Sequence, residues 1–185
     1  MSVFFLEKKI KDLRVLWKRG ATLVETLVYL FILVLLLMVV VDALLSFSHS
    51  FGLLQSGRDI ENSAIDSFER ITREIRDAKS VDISQSTFGT SPGQLLLNTT
   101  DASGNAETIQ FFLSGQTLHV KENGTDSGAL TRSSVRVTSL IFQHISTSTA
   151  EAVKISMTLE SGSGASYKSA NFYDSATLRG SYPLQ

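Results

Sequence analysis

The chain of 185 residues has no cysteine. That excludes disulfides, iron–sulfur clusters, cysteine zinc ligands and a cysteine nucleophile. Charge is missing from one long stretch. Between Leu27 and Val41 the only polar side-chain group is the Tyr29 hydroxyl. Proline and glycine are also missing from Ala21 to Val41. Clustered cations are missing from the body of the chain. Beyond residue 20 it carries 11 basic against 16 acidic residues, a net of −5. Phosphate contacts need clustered cations, so the body of the chain is not expected to bind nucleic acid. Catalytic sets are missing as well. His49, His119 and His144 are scattered without metal-ligand spacing, no glycine-rich phosphate loop is present, and no serine reads as a nucleophile-elbow serine. His119 and His144 fall on expected strands and read as surface or edge residues. The residues argue against an enzyme and imply no metal and no cofactor.

The cations that are present gather at the start. Lys8, Lys9, Lys11, Arg14, Lys18 and Arg19 outnumber Glu7 and Asp12, a net of +4 over the first twenty residues. Leu6, Ile10, Leu13, Leu16 and Trp17 recur among them at helical spacing. Two readings stand: a basic amphipathic helix on an anionic membrane surface, and a cytoplasmic tail that only sets topology. Either keeps this end in the cytoplasm, with the C-terminal part on the far side of a membrane. As a helix, Ala21 to Val41 would span about 31 Å at ~1.5 Å per residue, roughly the hydrocarbon thickness of a bilayer.

Four regions follow: a leader at 1–20, the membrane half of a long helix at 21–42, its amphipathic half at 43–79, and a sheet domain at 80–185. In the second helical half, Ala64, Phe68, Ile71 and Ile75 form one apolar face. Asp66–Arg70, Glu69–Arg73 and Arg73–Asp77 stand four apart on the charged face, each pair worth roughly 0.2–0.5 kcal/mol. Gly52 and Gly57 each weaken a helix by roughly 1 kcal/mol relative to alanine, and mark the place for a bend.

From residue 80 the apolar pattern changes to alternation. Ile109, Phe111 and Leu113 point one way and Phe112 the other. Ser114-Gly115 reads as a tight turn, with Leu118 and Val120 on the return strand, and Asn123-Gly124 as a second turn. Val135 and Val137 are out of step with Leu140 and Phe142, which suggests a bulge. Val153, Ile155, Met157 and Leu159 alternate without a break. Ser161–Gly164 is a loop, and a last strand includes Tyr167–Phe172, with Leu178 near its end. One-sided alternation implies an antiparallel sheet with one buried face, covered by the apolar face of residues 60–79. The expected class is α+β.

The junction Lys18-Arg19-Gly20-Ala21-Thr22-Leu23-Val24-Glu25 is the most informative segment. Glu25 sits at the edge of the apolar span, where an ionisable group costs a few kcal/mol and is usually functional. It can also be read as a solvated interfacial residue, or as a favourable anion in a first helical turn. The junction resembles the prepilin signal of type IV pilins and type II secretion pseudopilins. In that family a basic leader ends in Gly, an aspartyl prepilin peptidase cuts after it, and Glu is the fifth mature residue. The resemblance implies cleavage between Gly20 and Ala21, N-methylation of Ala21, and an assembly role for Glu25. It also implies a pilin-like fold and other pilin or pseudopilin subunits as partners. The chain would be an inner-membrane, single-pass protein that enters a filament. Ala21 stands where the family most often has Phe, and Asp42 where many major pilins have a kinking proline. Cysteines are absent, and with them the disulfide-bounded loop of many major subunits. These departures point to a minor pilin or pseudopilin, and the closing strands with Ala176-Thr177-Leu178-Arg179 resemble J-type minor pseudopilins and related minor pilins.

Two rival readings remain at this level. Val41-Asp42-Ala43 fits a signal peptidase I site, which would release a secreted domain. The chain could also be a membrane-anchored extracytoplasmic binding module that never polymerises.

Overall fold

The structure is a computed structural model and describes residues 22–147 and 150–179. Gly20 and Ala21 lie outside the described residues. The chain divides into two units at Ser48–His49.

Helix α1 runs over Leu23–Asp77. Its first turn has a side-chain cap: the Glu25 amide donates to Thr22 Oγ1 at 3.3 Å, and the Thr26 amide to the Thr22 carbonyl at 3.1 Å. Every large apolar side chain from Leu23 to Val41 is exposed, so this stretch has no protein core to bury it. It makes α1 the one helix among the described residues long and apolar enough to cross a membrane.

The second unit has two antiparallel sheets, where the alternation suggested one. The first is a meander of β1 (Ser80–Val81), β2 (Leu95–Thr100), β3 (Ala106–Ser114), β4 (Thr117–Glu122) and β5 (Thr125–Ala129). The second is a meander of β6 (Val135–Ser146), β7 (Glu151–Ser161) and β8 (Lys168–Thr177). The class is α+β. The sheets are stitched along the outer edge of β6. Gly93 and Gly89 donate backbone bonds to Leu140 and Phe142 at 2.7 and 2.8 Å, and Val137 donates to Gln116 of the β3–β4 turn at 2.8 Å. Alternation tells which face of a strand is buried but not where a run of strands breaks into two sheets.

Both sheets and α1 share one core. Ile60, Ala64, Phe68, Ile71 and Ile75 of α1 meet Leu95, Leu97, Phe111 and Leu118 of the first sheet and Phe142, Ile155, Met157 and Leu159 of the second. The expected bulge in β6 is present between Val137 and Ser139. Asn123-Gly124 is a two-residue turn between Glu122 and Thr125, with positive φ at both residues, as the hairpin twist requires. The Asn123 side chain also accepts from the Thr108 amide at 2.9 Å. At the preceding hairpin the turn residues are Gly115-Gln116, one position beyond the expected Ser114-Gly115, with Ser114 paired to Thr117. The last strand runs from Lys168 to Thr177, with Leu178 just beyond its end as expected and fully buried.

The expected ion pairs on α1 are replaced. Arg70 pairs with Glu74 at 3.0 Å and reaches across to Glu122 of β4 at 2.8 Å, instead of turning back to Asp66. Arg73 lies 3.9 Å from Glu74, instead of pairing with Glu69 or Asp77. Arg70 thus keeps one partner a turn along its own helix and gains a second on the sheet, both at short range where the attraction is strongest.

Candidate functional site

Glu25 stands in the first turn of α1, three residues after the capping Thr22. The Tyr29 hydroxyl donates to Glu25 Oε1 at 3.1 Å, one turn further on. The carboxylate is exposed, and its neighbours along the helix are the exposed apolar side chains of the span. A negative group here is favoured by the unpaired amides and dipole of the helix start. The same group would become costly as soon as lipid or packed helices removed its water. The chemistry available at this end is charge pairing in an apolar setting.

The histidines are not brought together. His49 lies on α1. His119 Nδ1 is 3.0 Å from Asp126 on β5, with its ring against Phe112. The His119 imidazole and the Gly128 amide hold the Asp126 carboxyl below the usual carboxylate range. His144 is largely covered, with its ring against Phe88, and Nε2 lies 3.8 Å from Glu151. Its strand β6 stands at the edge of its sheet, in keeping with the edge reading, and its ring is partly covered there. Among the described residues no three His, Cys, Asp or Glu side chains converge as a metal-ion site. Gly89-Thr90-Ser91-Pro92-Gly93 carries the letters of a nucleophile elbow, but it joins β1 to β2, and no helix follows it. The Ser91 hydroxyl accepts the Leu140 amide at 3.1 Å and serves the join between the sheets.

A feature with no warning in the sequence lies between α1 and β8. One cleft of about 420 Å³ is lined by Glu61, Ala64, Ile65 and Phe68 of the helix and by Phe172, Tyr173 and Asp174 of the strand. A second, of about 400 Å³, shares Glu61 and reaches Leu54, Gly57, Arg58 and Lys168. A third, of about 340 Å³, lies further along the helix and is lined by Glu69, Thr72, Arg73, Arg76 and Asp77 and by Arg179 beyond β8. Lys168 opposite Gly57, Phe172 opposite Phe68 and Arg179 opposite Arg76 show that strand and helix run side by side in the same direction. No local pattern marks such a groove, because its walls are about a hundred residues apart in the chain.

No family model, no curated protein and no solved structure matches this chain.

Proposed function

We propose that the chain is a non-enzymatic structural subunit, a minor pilin or pseudopilin, of a type IV pilus or type II secretion-like filament. It is inserted in the inner membrane with its N-terminus in the cytoplasm, cut by prepilin peptidase after Gly20 and N-methylated at Ala21. The observation that carries the reading is the start of α1. A wholly exposed apolar span begins with a single carboxylate, Glu25, capped into the first helical turn. In a bundle of parallel spans that carboxylate needs a cation, since an unpaired buried charge is costly. Cleavage after Gly20 creates one, the α-amine of Ala21, on the same chain or on a neighbour. Before the cut that nitrogen is an amide and cannot pair.

The test is Glu25→Val in the full chain. The variant should insert as well as the parent or better, because a neutral side chain is cheaper in lipid. It should still be trimmed after Gly20, and it should fail to join filaments. Incorporation equal to the parent's would return Glu25 to the role of a solvated interfacial residue. A second reading, favoured by the groove beside β8, is a membrane-anchored extracytoplasmic binding module that never polymerises. Mass spectrometry of the mature N-terminus separates the two: methyl-Ala21 supports the subunit, and retention of residues 1–20 supports the module.

A further inference from the structure

We propose that the groove between α1 and β8 is a docking site for an extended segment of a partner polypeptide, which adds to β8 as a fourth strand and places an acidic end against Arg76 and Arg179. The inference concerns residues 53–179 alone and stands whether or not the chain enters a filament.

The first ground is the edge itself. The outer edge of β6 is covered by backbone bonds to Gly89, Gly93 and Gln116. The edges of the first sheet are short: β1 has two residues, and β5 has five and is bulged against β4. β8 is different. It pairs with β7 through ten consecutive residues without a slip, and among the described residues no backbone bond reaches its other side. A long, regular, unpaired edge is a template for a further strand, and natural proteins usually block one with proline, a bulge or charge. β8 has no proline, no bulge and only Lys168 and Asp174 as charges.

The second ground is shape and polarity. Three consecutive residues of β8, Phe172 to Asp174, line one cleft, so the strand presents its edge to the groove and not only a face. Across from it stands Ile65, 62% exposed, above the partly covered ring of Phe172. From Leu54 to Arg76 the helix wall is about 33 Å long at ~1.5 Å per residue, which matches ten strand residues at ~3.3 Å each. An added strand would gain main-chain bonds from β8 and set alternate side chains on Ile65 and Phe68.

The third ground is charge, and it selects the occupant. Arg76 and Arg179 make no ion pair among the described residues, and the Arg179 amide is fixed to the Arg76 carbonyl at 3.1 Å. The cleft at that end is lined by Arg73, Arg76 and Arg179 against Glu69 and Asp77, a net of +1, so it favours a carboxylate on the guest. A second copy of β8 does not supply it. The two fullest antiparallel registers of one β8 edge on another set Lys168 opposite Ala176 or Ser169 opposite Thr177, and neither brings an acidic side chain of the added strand to Arg179. Antiparallel addition by a different segment, which continues the pattern of this sheet, instead brings the guest's amino end to the arginines.

The experiment uses the full chain in detergent micelles. The probe is an acetylated ten-residue peptide of alternating valine and threonine with two aspartates at its amino end, carrying a fluorophore at the other. Saturable binding is expected in anisotropy, together with slowed amide exchange confined to residues 169–176. Ile65→Asp changes an exposed position and should leave the fold intact while abolishing binding. Arg76→Glu with Arg179→Glu should weaken binding about tenfold, close to 1.4 kcal/mol. The same peptide N-methylated at alternate residues should not bind. Binding that survives N-methylation, or that is indifferent to Ile65→Asp, would overturn strand addition. Equal affinity for a peptide with lysines in place of the aspartates would overturn the acidic guest. Concentration-dependent protection of β8 without any peptide would show that a second copy is the occupant, and would overturn the partner assignment.

Discussion

The amide of Gly93 donates to the carbonyl of Leu140 at 2.7 Å, and this bond ties the connection between β1 and β2 to the outer edge of β6. The approach is so close that no side chain fits. A Cβ on Gly93 would stand 2.8 Å from the Leu140 oxygen and 3.1 Å from Phe142 Cδ2. One obstacle is backbone and the other a fully buried ring, so neither can yield cheaply. Gly93→Ala should cost about 1–3 kcal/mol, the usual range for overpacking. Thermal unfolding followed by near-ultraviolet circular dichroism checks it, and an unchanged midpoint would mean that the sheets are joined elsewhere.

The two faces of α1 should respond very differently to truncation. Ile71 is fully buried between the sheets, and Ile71→Ala should cost about 2–5 kcal/mol. Ile65, six residues earlier on the groove side, is largely exposed, and Ile65→Ala should stay within about 0.5 kcal/mol of the parent. Denaturant titration of both variants decides the matter. Equal losses would place the core on the wrong face of the helix.

Gly52 and Gly57 look alike in the sequence and differ in the fold. A Cβ on Gly57 would meet Lys168 Nζ at 2.7 Å, the free end of a long flexible side chain that can swing away. Gly57→Ala should therefore keep most of the gain in helix propensity, up to about 1 kcal/mol. A Cβ on Gly52 would collide with the short side chain of Ser166, in the 3-10 turn Gly164–Ser166 that leads into β8. Gly52→Ala should lose that gain to the clash. Melting temperatures of the two single variants, compared side by side, should rank Gly57→Ala above Gly52→Ala.

Two carboxylates should pull the pH dependence of stability in opposite directions. Asp101 accepts the Asn105 side-chain amide at 3.0 Å and the Ser103 and Asn105 backbone amides at 2.8 Å each. These bonds, led by the Asn105 side chain, hold its carboxyl below the usual aspartate range. Its contribution is present above the unfolded-state value and is lost as pH falls through the depressed folded one. Glu74 is the reverse case. Burial pushes its carboxyl up, against the opposing pull of Arg70 and Arg73. Its protonated form is favoured by folding, so the associated stability is present at low pH and is lost as pH rises through the raised folded value. Asp101→Asn should remove the loss on acidification, and Glu74→Gln the loss on the way up. Denaturation midpoints across the acidic range will show whether the two slopes have opposite signs.

Much of the second unit was legible because its signals are local. Val153, Ile155, Met157 and Leu159 alternate and are all fully buried, since successive side chains of a strand point to opposite faces. Phe68, Ile71 and Ile75 fall on one helical face for the equivalent reason. Strand β2 gave no such signal. Leu95, Leu96 and Leu97 are all buried, two within the core and Leu96 on the other face, so the run never alternates. Its proper reading needed knowledge of what covers each face.

The sequence by itself determined where periodicity changes, which residues turn inward, and that the apolar span carries one carboxylate at its start. Periods of 3.6 and 2 follow from backbone geometry, and a turn such as Asn123-Gly124 follows from which residues tolerate positive φ. Only the tertiary structure decided what each face meets. It sent Arg70 to Glu122, set Gly93 against Leu140, split eight strands into two sheets, and laid the unpaired edge of β8 beside a helix that begins almost 150 residues earlier. Those outcomes depend on distances between segments far apart in the chain. A local pattern fixes the direction of a side chain, and long-range packing chooses its neighbour.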